Sequence, residues 1–433
     1  MTSFALWLVG LGGRSTSLIV ATLNVVVLAR ALGPLGRGQF FIFVSIVLVL
    51  TALADLGMSQ SAVVFTGRRE VPMSRIHSVL LLFAPAIGIV VAVLALAVLP
   101  LIADSILAGL PRDWSIVALA LLPLSVYANY WTGMMVGARR IVEVNAVQLA
   151  TNALTLAANL IFVATTGNAT AAVVIYVVIL ALQAATMVGL VARTRDLAGV
   201  GGGTALAWKM IAFGVRAYPN SVSALLWARL AIFVLNVYHG PAAVGIYSVA
   251  QQLAERLLVP IQAIQDVMYA RMAQLARADA SALLNRYLRL TVAAIVPTVI
   301  VVMLVSPGLV AFLFSDSFQR STAPLRLLLI GSAVQAIPVL LAPFFIAQLR
   351  RPGLLSLLSW SNAALSVVLL IALVPNGAET GAAFAIVVTQ IVGTLIAYGL
   401  YLRIAGTDPR SSLVLRSEDV ALVRQQALAL IHR

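Results

Sequence analysis

The chain has 433 residues, of which 62% are hydrophobic and only 10% charged, with a net charge of +14 and no cysteine. A soluble domain carries about 25% charged residues, so this composition excludes a water-soluble globular protein and points to a bilayer. The lack of cysteine excludes disulfides and thiolate metal sites.

Apolar runs of spanning length, roughly 20 residues, recur from end to end. In lipid, only helices and closed barrels satisfy their own backbone hydrogen bonds. The expected fold is an all-α integral membrane protein with about 12 transmembrane helices in two six-helix lobes related by pseudo-twofold symmetry. The first run, 4–31, has no basic segment before it and no cleavage site, which predicts a retained span, not a signal peptide. It leads into a turn, Gly33-Pro34-x-x-x-Gly38-x-Phe40, and then a second run, 38–57. The third and fourth are 76–99 and 115–137, the latter with Gly133 and Gly137 on one face for close helix packing.

The fifth run, 142–165, carries Asn145, Gln148, Asn152, Thr155 and Asn159 at helical spacing, with Thr151 beside them. Amides are costly in lipid, so this stripe faces protein or a water-filled cavity; interhelical hydrogen bonding and substrate contact both stay open. The sixth run is 170–192. Residues 193–207, RTRDLAGVGGGTALA, suit a flexible cytoplasmic linker between an N-terminal lobe, 1–192, and a C-terminal lobe, 208–402. No strand precedes the glycines, as a nucleotide-binding loop requires.

After the seventh run, 208–237, the turn returns as Gly240-Pro241-x-x-x-Gly245-x-Tyr247, every residue shifted by 207. A repeat at about half the chain length marks a duplication, and an even number of spans per half makes both halves enter from the same side. Arg139-Arg140 with Arg350-Arg351, Asn152 with Asn362, and Gln183 with Gln390 echo it. The eighth run, 243–268, places Gln251, Glu255, Gln262 and Asp266 on one side, with Pro260 as a bend. Glu255, read as lying inside a span, is the candidate ion-coupling residue; an ion pair with Arg256 or Arg229 is its structural alternative. The remaining runs are 287–306, 323–347, 353–374 and 380–402, followed by a tail, 403–433, with an amphipathic helix expected from Ser417.

Positive charge tests the topology, because short cytoplasmic loops retain it. With the N-terminus inside, 19 basic residues fall on the cytoplasmic side and five outside: Arg30, Arg37, Arg112, Arg320 and Arg326. Both termini are therefore expected in the cytoplasm. The net charge reads as topology and affinity for anionic membrane lipids, with no nucleic-acid partner. Arg14, Arg216, Arg229 and Arg256 fall inside spans one, seven and eight. Guanidinium binds phosphate bidentately and keeps its proton, so these four, with Asn145, Gln148, Asn152 and Asn159, are the candidate substrate-binding residues of a cationic cavity.

Enzyme signatures are lacking. Lys209 is the only lysine, so there is no Walker A motif, and His77, His239 and His432 have no metal-ligand spacing. No catalytic residue, metal or cofactor is expected.

The run Ala29-Arg30-Ala31-Leu32-Gly33-Pro34-Leu35-Gly36-Arg37-Gly38-Gln39-Phe40 resembles the ARxLGPxGxGxF/Y turn of bacterial polysaccharide-export and O-antigen flippases, in the multidrug/oligosaccharidyl-lipid/polysaccharide (MOP) superfamily. Gly240 to Glu255 resembles its second-half counterpart. The resemblance implies the two-lobe fold shared with the multidrug and toxin extrusion (MATE) transporters, in the bacterial cytoplasmic membrane. It implies export of a polyprenyl-diphosphate-linked oligosaccharide by alternating access, with a proton or sodium gradient as candidate energy source and other polysaccharide-assembly proteins as partners. Arg229-Leu230-Ala231 departs from the R-L/I-D of many relatives, which leaves Glu255 as the main embedded carboxylate of the second lobe. A drug antiporter of the same superfamily is the alternative, although four embedded arginines suit anionic cargo better; a membrane polymerase or ligase would need a larger outside loop.

Overall fold

The computed structural model describes residues 3–69, 71–192, 204–272, 274–349, 351–416 and 418–419, and their side chains except at 3–15, 216–217, 219–228, 270 and 352. The glycines 201–203, Arg350 and the expected tail helix beyond Asp419 lie outside these residues, as do the side chains of Arg14 and Arg216.

All regular structure among the described residues is helical. The chain runs through α1 (Ser3–Asp55), α2 (Met58–Arg68), α3 (Met73–Ile102), α4 (Arg112–Ala120), α5 (Leu122–Gly137) and α6 (Ile141–Ala158). A π turn, Asn159–Val163, leads to α7 (Ala164–Thr166), α8 (Ala169–Ala192), α9 (Thr204–Glu255) and α10 (Leu258–Met272). Then come α11 (Arg277–Phe314), α12 (Thr322–Pro343), a second π turn, Phe344–Gln348, α13 (Pro352–Ala405) and α14 (Pro409–Leu413).

Eight of the described helices are long and apolar enough to cross a membrane, or nine if α4 and α5, bent by 42°, form one span. The best window of α3 has mean hydropathy 2.9 yet only 22% of it is buried inside the protein. Its Leu82, Val93, Leu94 and Leu101 point outward. Such a surface is stable only against lipid, so this is a multi-pass membrane protein.

Three helices, α1, α9 and α13, have 53, 52 and 54 residues. As straight rods each would reach roughly 80 Å, against about 30 Å of hydrocarbon. Each is interrupted once, at Gly33 (φ 62°, ψ −177°), Gly240 (φ 74°, ψ −178°) and Ala378 (φ 46°, ψ −131°). Glycine reaches positive φ without steric penalty, and the proline that follows has no N–H to leave unpaired. The two Gly-Pro turns have nearly the same backbone, as the repeat predicts.

The chain packs as two compact units: residues 1–248 with 313–318, and residues 249–312 with 319–433. In the first, α5 presses its Gly133 and Gly137 against the backbone of Ser59 and Val63 in α2. Met58, Leu80, Tyr130, Trp131 and Met134 fill the core beside them. The first part of α9 packs here too: a Cβ on Gly214 would lie 2.7 Å from the Gly57 carbonyl oxygen, and Ser61 Oγ donates to Met210 O at 2.6 Å. Tyr218 Oη donates to Leu53 O, also at 2.6 Å. The boundary between the two units falls within α9, between Ser248 and Val249, downstream of residues 193–207 where sequence places a linker.

In the second unit α12 lies along α13, with Gln390 Nε2 donating to Gln335 Oε1 at 2.8 Å. Tyr401 Oη donates to Asn285 Oδ1 at 2.7 Å, tying α13 to α11.

Candidate functional site

Just past the first Gly-Pro turn, Arg37 and Phe41 stand four residues apart on one face of α1. Sequence placed Arg37 in an outside loop; in the structure it is 2% exposed. Its Cζ lies 5.6 Å from the centre of the Phe41 ring, and Cζ of Arg229, from α9, lies 5.5 Å from the same centre. Arg37 Nε and Arg229 Nε and Nη1 are buried without a hydrogen-bond partner. Neither guanidinium forms an ion pair among the described residues.

Magnitudes decide what this arrangement needs. A cation–π contact offers about 0.5–2 kcal/mol, whereas burying an unpaired ion costs several kcal/mol. The ring alone does not offset the buried Arg37 and the half-buried Arg229, whose buried N–H groups are of the kind that pair with anions. Of the four arginines singled out by sequence, Arg229 is thus joined by Arg37, while Arg256 lies in the two-residue turn between α9 and α10, in the second unit. Arg14 and Arg216 fall outside the described side chains.

The polar stripe of the fifth span turns largely toward α1. Asn152 Nδ2 donates to Ser17 Oγ and Asn159 Nδ2 to Asn24 Oδ1, both at 2.7 Å. Gln148, exposed, donates to Asn152 Oδ1 at 3.2 Å, and Asn145 is half-buried. Asn159 opens the π turn and keeps a buried Oδ1 without a partner. Thr151 lines a small cavity of about 120 Å³ with Gln183 and Thr186. Helix-to-helix hydrogen bonding thus accounts for Asn152 and Asn159.

Glu255 is the last residue of α9, followed by a break, where sequence had one continuous span to 268. Its side chain is exposed and accepts from Gln251 Nε2 at 2.8 Å. Asp55 ends α1 in the same way, 5% exposed. It accepts from Gly57 N at 3.1 Å, Ser59 Oγ at 2.9 Å and Asn129 Nδ2 at 2.8 Å. Two further buried polar groups were not picked out as site residues by sequence: His77, whose Nε2 lies 2.9 Å from Tyr127 Oη, and Glu379, which accepts from Arg320 Nη2 at 3.1 Å. The amphipathic periodicity of these segments is dominated by lipid-facing residues, so it does not single out a buried carboxylate or imidazole.

A family described as polysaccharide biosynthesis protein matches residues 27–323. No sequence among curated proteins matches significantly. Among solved structures, the chain is similar to an inward-facing multidrug-resistance MATE transporter of the MOP superfamily. The TM-score is 0.72 at 17% identity, over 92% of this chain and 98% of that one. It is similar to the lipid II flippase MurJ in an inward closed conformation, with TM-score 0.76 at 13% identity over 94% and 89% of the two chains. A third similar structure is a MOP transporter from Pyrococcus furiosus whose binding pocket is described as of reverse polarity. Its TM-score is 0.65 at 15% identity, over 93% and 95%. At such identities the likeness establishes the fold, and the family match covers more than half of the sequence. The chain therefore belongs to the polysaccharide biosynthesis protein family, with the fold of the MOP-superfamily exporters.

Proposed function

We propose that the protein is a flippase that moves a polyprenyl-diphosphate-linked oligosaccharide from the cytoplasmic to the outer leaflet of a bacterial cytoplasmic membrane. Twelve spans in two six-helix lobes would alternate access to a cavity between leaflets. The observation that carries the reading is that Arg37, buried, and Arg229, half-buried, both lie against Phe41 with buried N–H groups unused. A diphosphate supplies what they lack: several acceptor oxygens and more than one negative charge, in a geometry that guanidinium meets bidentately. The buried Phe41 ring beside both guanidiniums lowers the local polarity, which strengthens each contact. Family membership supports a glycan as the attached cargo, and the similarity to a lipid II flippase supports a lipid carrier. A cationic drug would face two positive charges here, which disfavours the antiporter alternative. No residue is assigned a catalytic role. The decisive test is mass spectrometry of polyprenyl-linked sugars in a strain lacking the protein. A lipid-diphosphate oligosaccharide should accumulate and disappear on complementation; an unchanged lipid pool with altered drug sensitivity would replace this reading by the antiporter.

A further inference from the structure

The two Gly-Pro turns meet. A Cβ on Gly38 would overlap the Pro241 carbonyl oxygen and come within 2.9 Å of the Gly245 nitrogen. A Cβ on Gly245 would overlap the Pro34 carbonyl oxygen and come within 3.1 Å of the Gly38 nitrogen. Since Pro34 and Gly38 shift by 207 onto Pro241 and Gly245, each copy of the motif offers its glycine to the carbonyl of the other, and the contact is its own mirror under the pseudo-twofold. Two polar ties repeat the pattern. Asn236 Nδ2 donates to Ile106 O at 2.9 Å and to Ala108 O at 3.0 Å. Arg30 Nε donates to Leu313 O at 2.8 Å. Leu313 is Ile106 shifted by 207, and Asn236 is Arg30 shifted by 206. All these residues belong to the first packing unit.

The geometry points to a gate: the paired turns are a reciprocal clasp that seals one end of the transport path, and export requires it to part. This rests on the transporter reading above. Backbone meets backbone with no side chain between, so the closed seam leaves no room for water. Little apolar side-chain surface is lost when such a seam opens, and the ties that hold it are a few hydrogen bonds of about 1 kcal/mol each, or 1.5–3 to the charged Arg30. A contact of that strength is cheap to open, where an interdigitated core would lose its buried apolar area. Room to swing is present at the base of each arm, because a Cβ on Gly33 or Gly240 would have no heavy atom within 4 Å. One helical turn beyond the clasp lie Phe41 and its equivalent by the 207 shift, Ser248, which is fully buried. Parting the turns would open the path to both, and to the cation pair on Phe41.

Ser248→Cys places a single small thiol in a chain that has no other. In detergent-purified protein this thiol should react slowly with a maleimide. Adding Gly38→Ala or Gly245→Ala should speed it at least tenfold, and by similar factors, since each methyl group intrudes on the opposite turn. Gly399→Ala, where a Cβ meets open space, should leave the rate unchanged. Unchanged rates in both clasp variants, or acceleration in only one, would overturn the proposal. Should either alanine variant fail to fold, spin labels at Leu35→Cys and Ala242→Cys leave the glycines intact. Pulsed dipolar spectroscopy in liposomes, with and without inorganic pyrophosphate, should show a short and a long distance. A single distance throughout would overturn the clasp. The maleimide readout involves no cargo, so faster labelling of both clasp variants together with an unchanged lipid pool in the deletion strain would keep the gate and discard the lipid-linked substrate.

Discussion

At the scale of single residues, Arg37 and Arg229 carry the strongest expectation. Arg229→Ala or Arg37→Ala should lower export by about tenfold or more, equivalent to roughly 1.4 kcal/mol, with lysine rescuing only part because it lacks the planar fork. Export is read as lipid-linked sugar remaining in the cytoplasmic leaflet, in cells expressing each variant equally; Arg403→Ala serves as the control outside the site. Equal export in all of them would remove the anion seat. Sequence marked Arg229 because it interrupts an apolar run, whereas Arg37 follows a turn among glycines and reads as a loop charge. α9 comes against this turn, from about 200 positions away, at Pro241 and Gly245, and no local pattern encodes that. A second residue pair sits in the second unit. Asp419, fully buried, accepts from Arg289 Nε at 2.5 Å and Nη2 at 2.9 Å, with Arg286 Nε 3.6 Å away. Hydrogen bonding to Arg289 holds the Asp419 carboxyl below the usual aspartate range. A lowered folded pKa means that the tie is complete above the ordinary value of about 3.9 and is lost only as pH falls through the lower folded one. Hydrogen exchange over residues 406–419 should therefore relate to pH between 5 and 8 by intrinsic chemistry alone. Asp419→Asn should make it about tenfold faster across that range; an identical exchange profile would show that the tail is held by other contacts.

At the scale of elements, the two copies of the motif diverge after the turn. From Gly33 to the end of α1 at Asp55 is 22 residues, while from Gly240 to the end of α9 at Glu255 is 15, a difference of two helical turns. The paired turns were legible because the match is gapless; the paired breaks were not, because they no longer share its offset. Hence the sequence carried the eighth span unbroken to residue 268 and placed Glu255 inside it. At its helix end the exposed Glu255 accepts one hydrogen bond, from Gln251, whereas the buried Asp55 accepts three. Glu255→Gln should therefore fold and bind as the native protein does but lose the dependence of transport on an imposed pH gradient in proteoliposomes. If the variant still responds to the gradient, coupling lies elsewhere. Asp55→Asn, by contrast, replaces a carboxylate that accepts three hydrogen bonds by an amide with donors of its own, and should cost thermal stability in detergent.

For the whole molecule, the charge bias predicts that both termini and the segment at Gly202 face the cytoplasm. A membrane-impermeant maleimide added to intact cells should label Leu35→Cys but spare Gly202→Cys, and the opposite pattern would invert the topology together with the side on which the clasp lies. Composition and charge were enough to expect helices in a bilayer, since they depend on the solvent and not on which residues touch. The reciprocal contact between the turns also says something about ancestry. A surface patch that meets its own duplicate across a twofold axis is isologous, the kind of interface by which two identical chains pair. Before duplication, a chain of about half this length bearing one Gly-Pro turn would have closed on a second copy of itself through the same glycine and the same carbonyl. In such a homodimer any change at the seam is felt twice. Joining two copies in one chain would release that constraint, and the present pair of ties is unlike in the way such a release allows: one half holds its neighbour's carbonyl with Arg30, the other with Asn236.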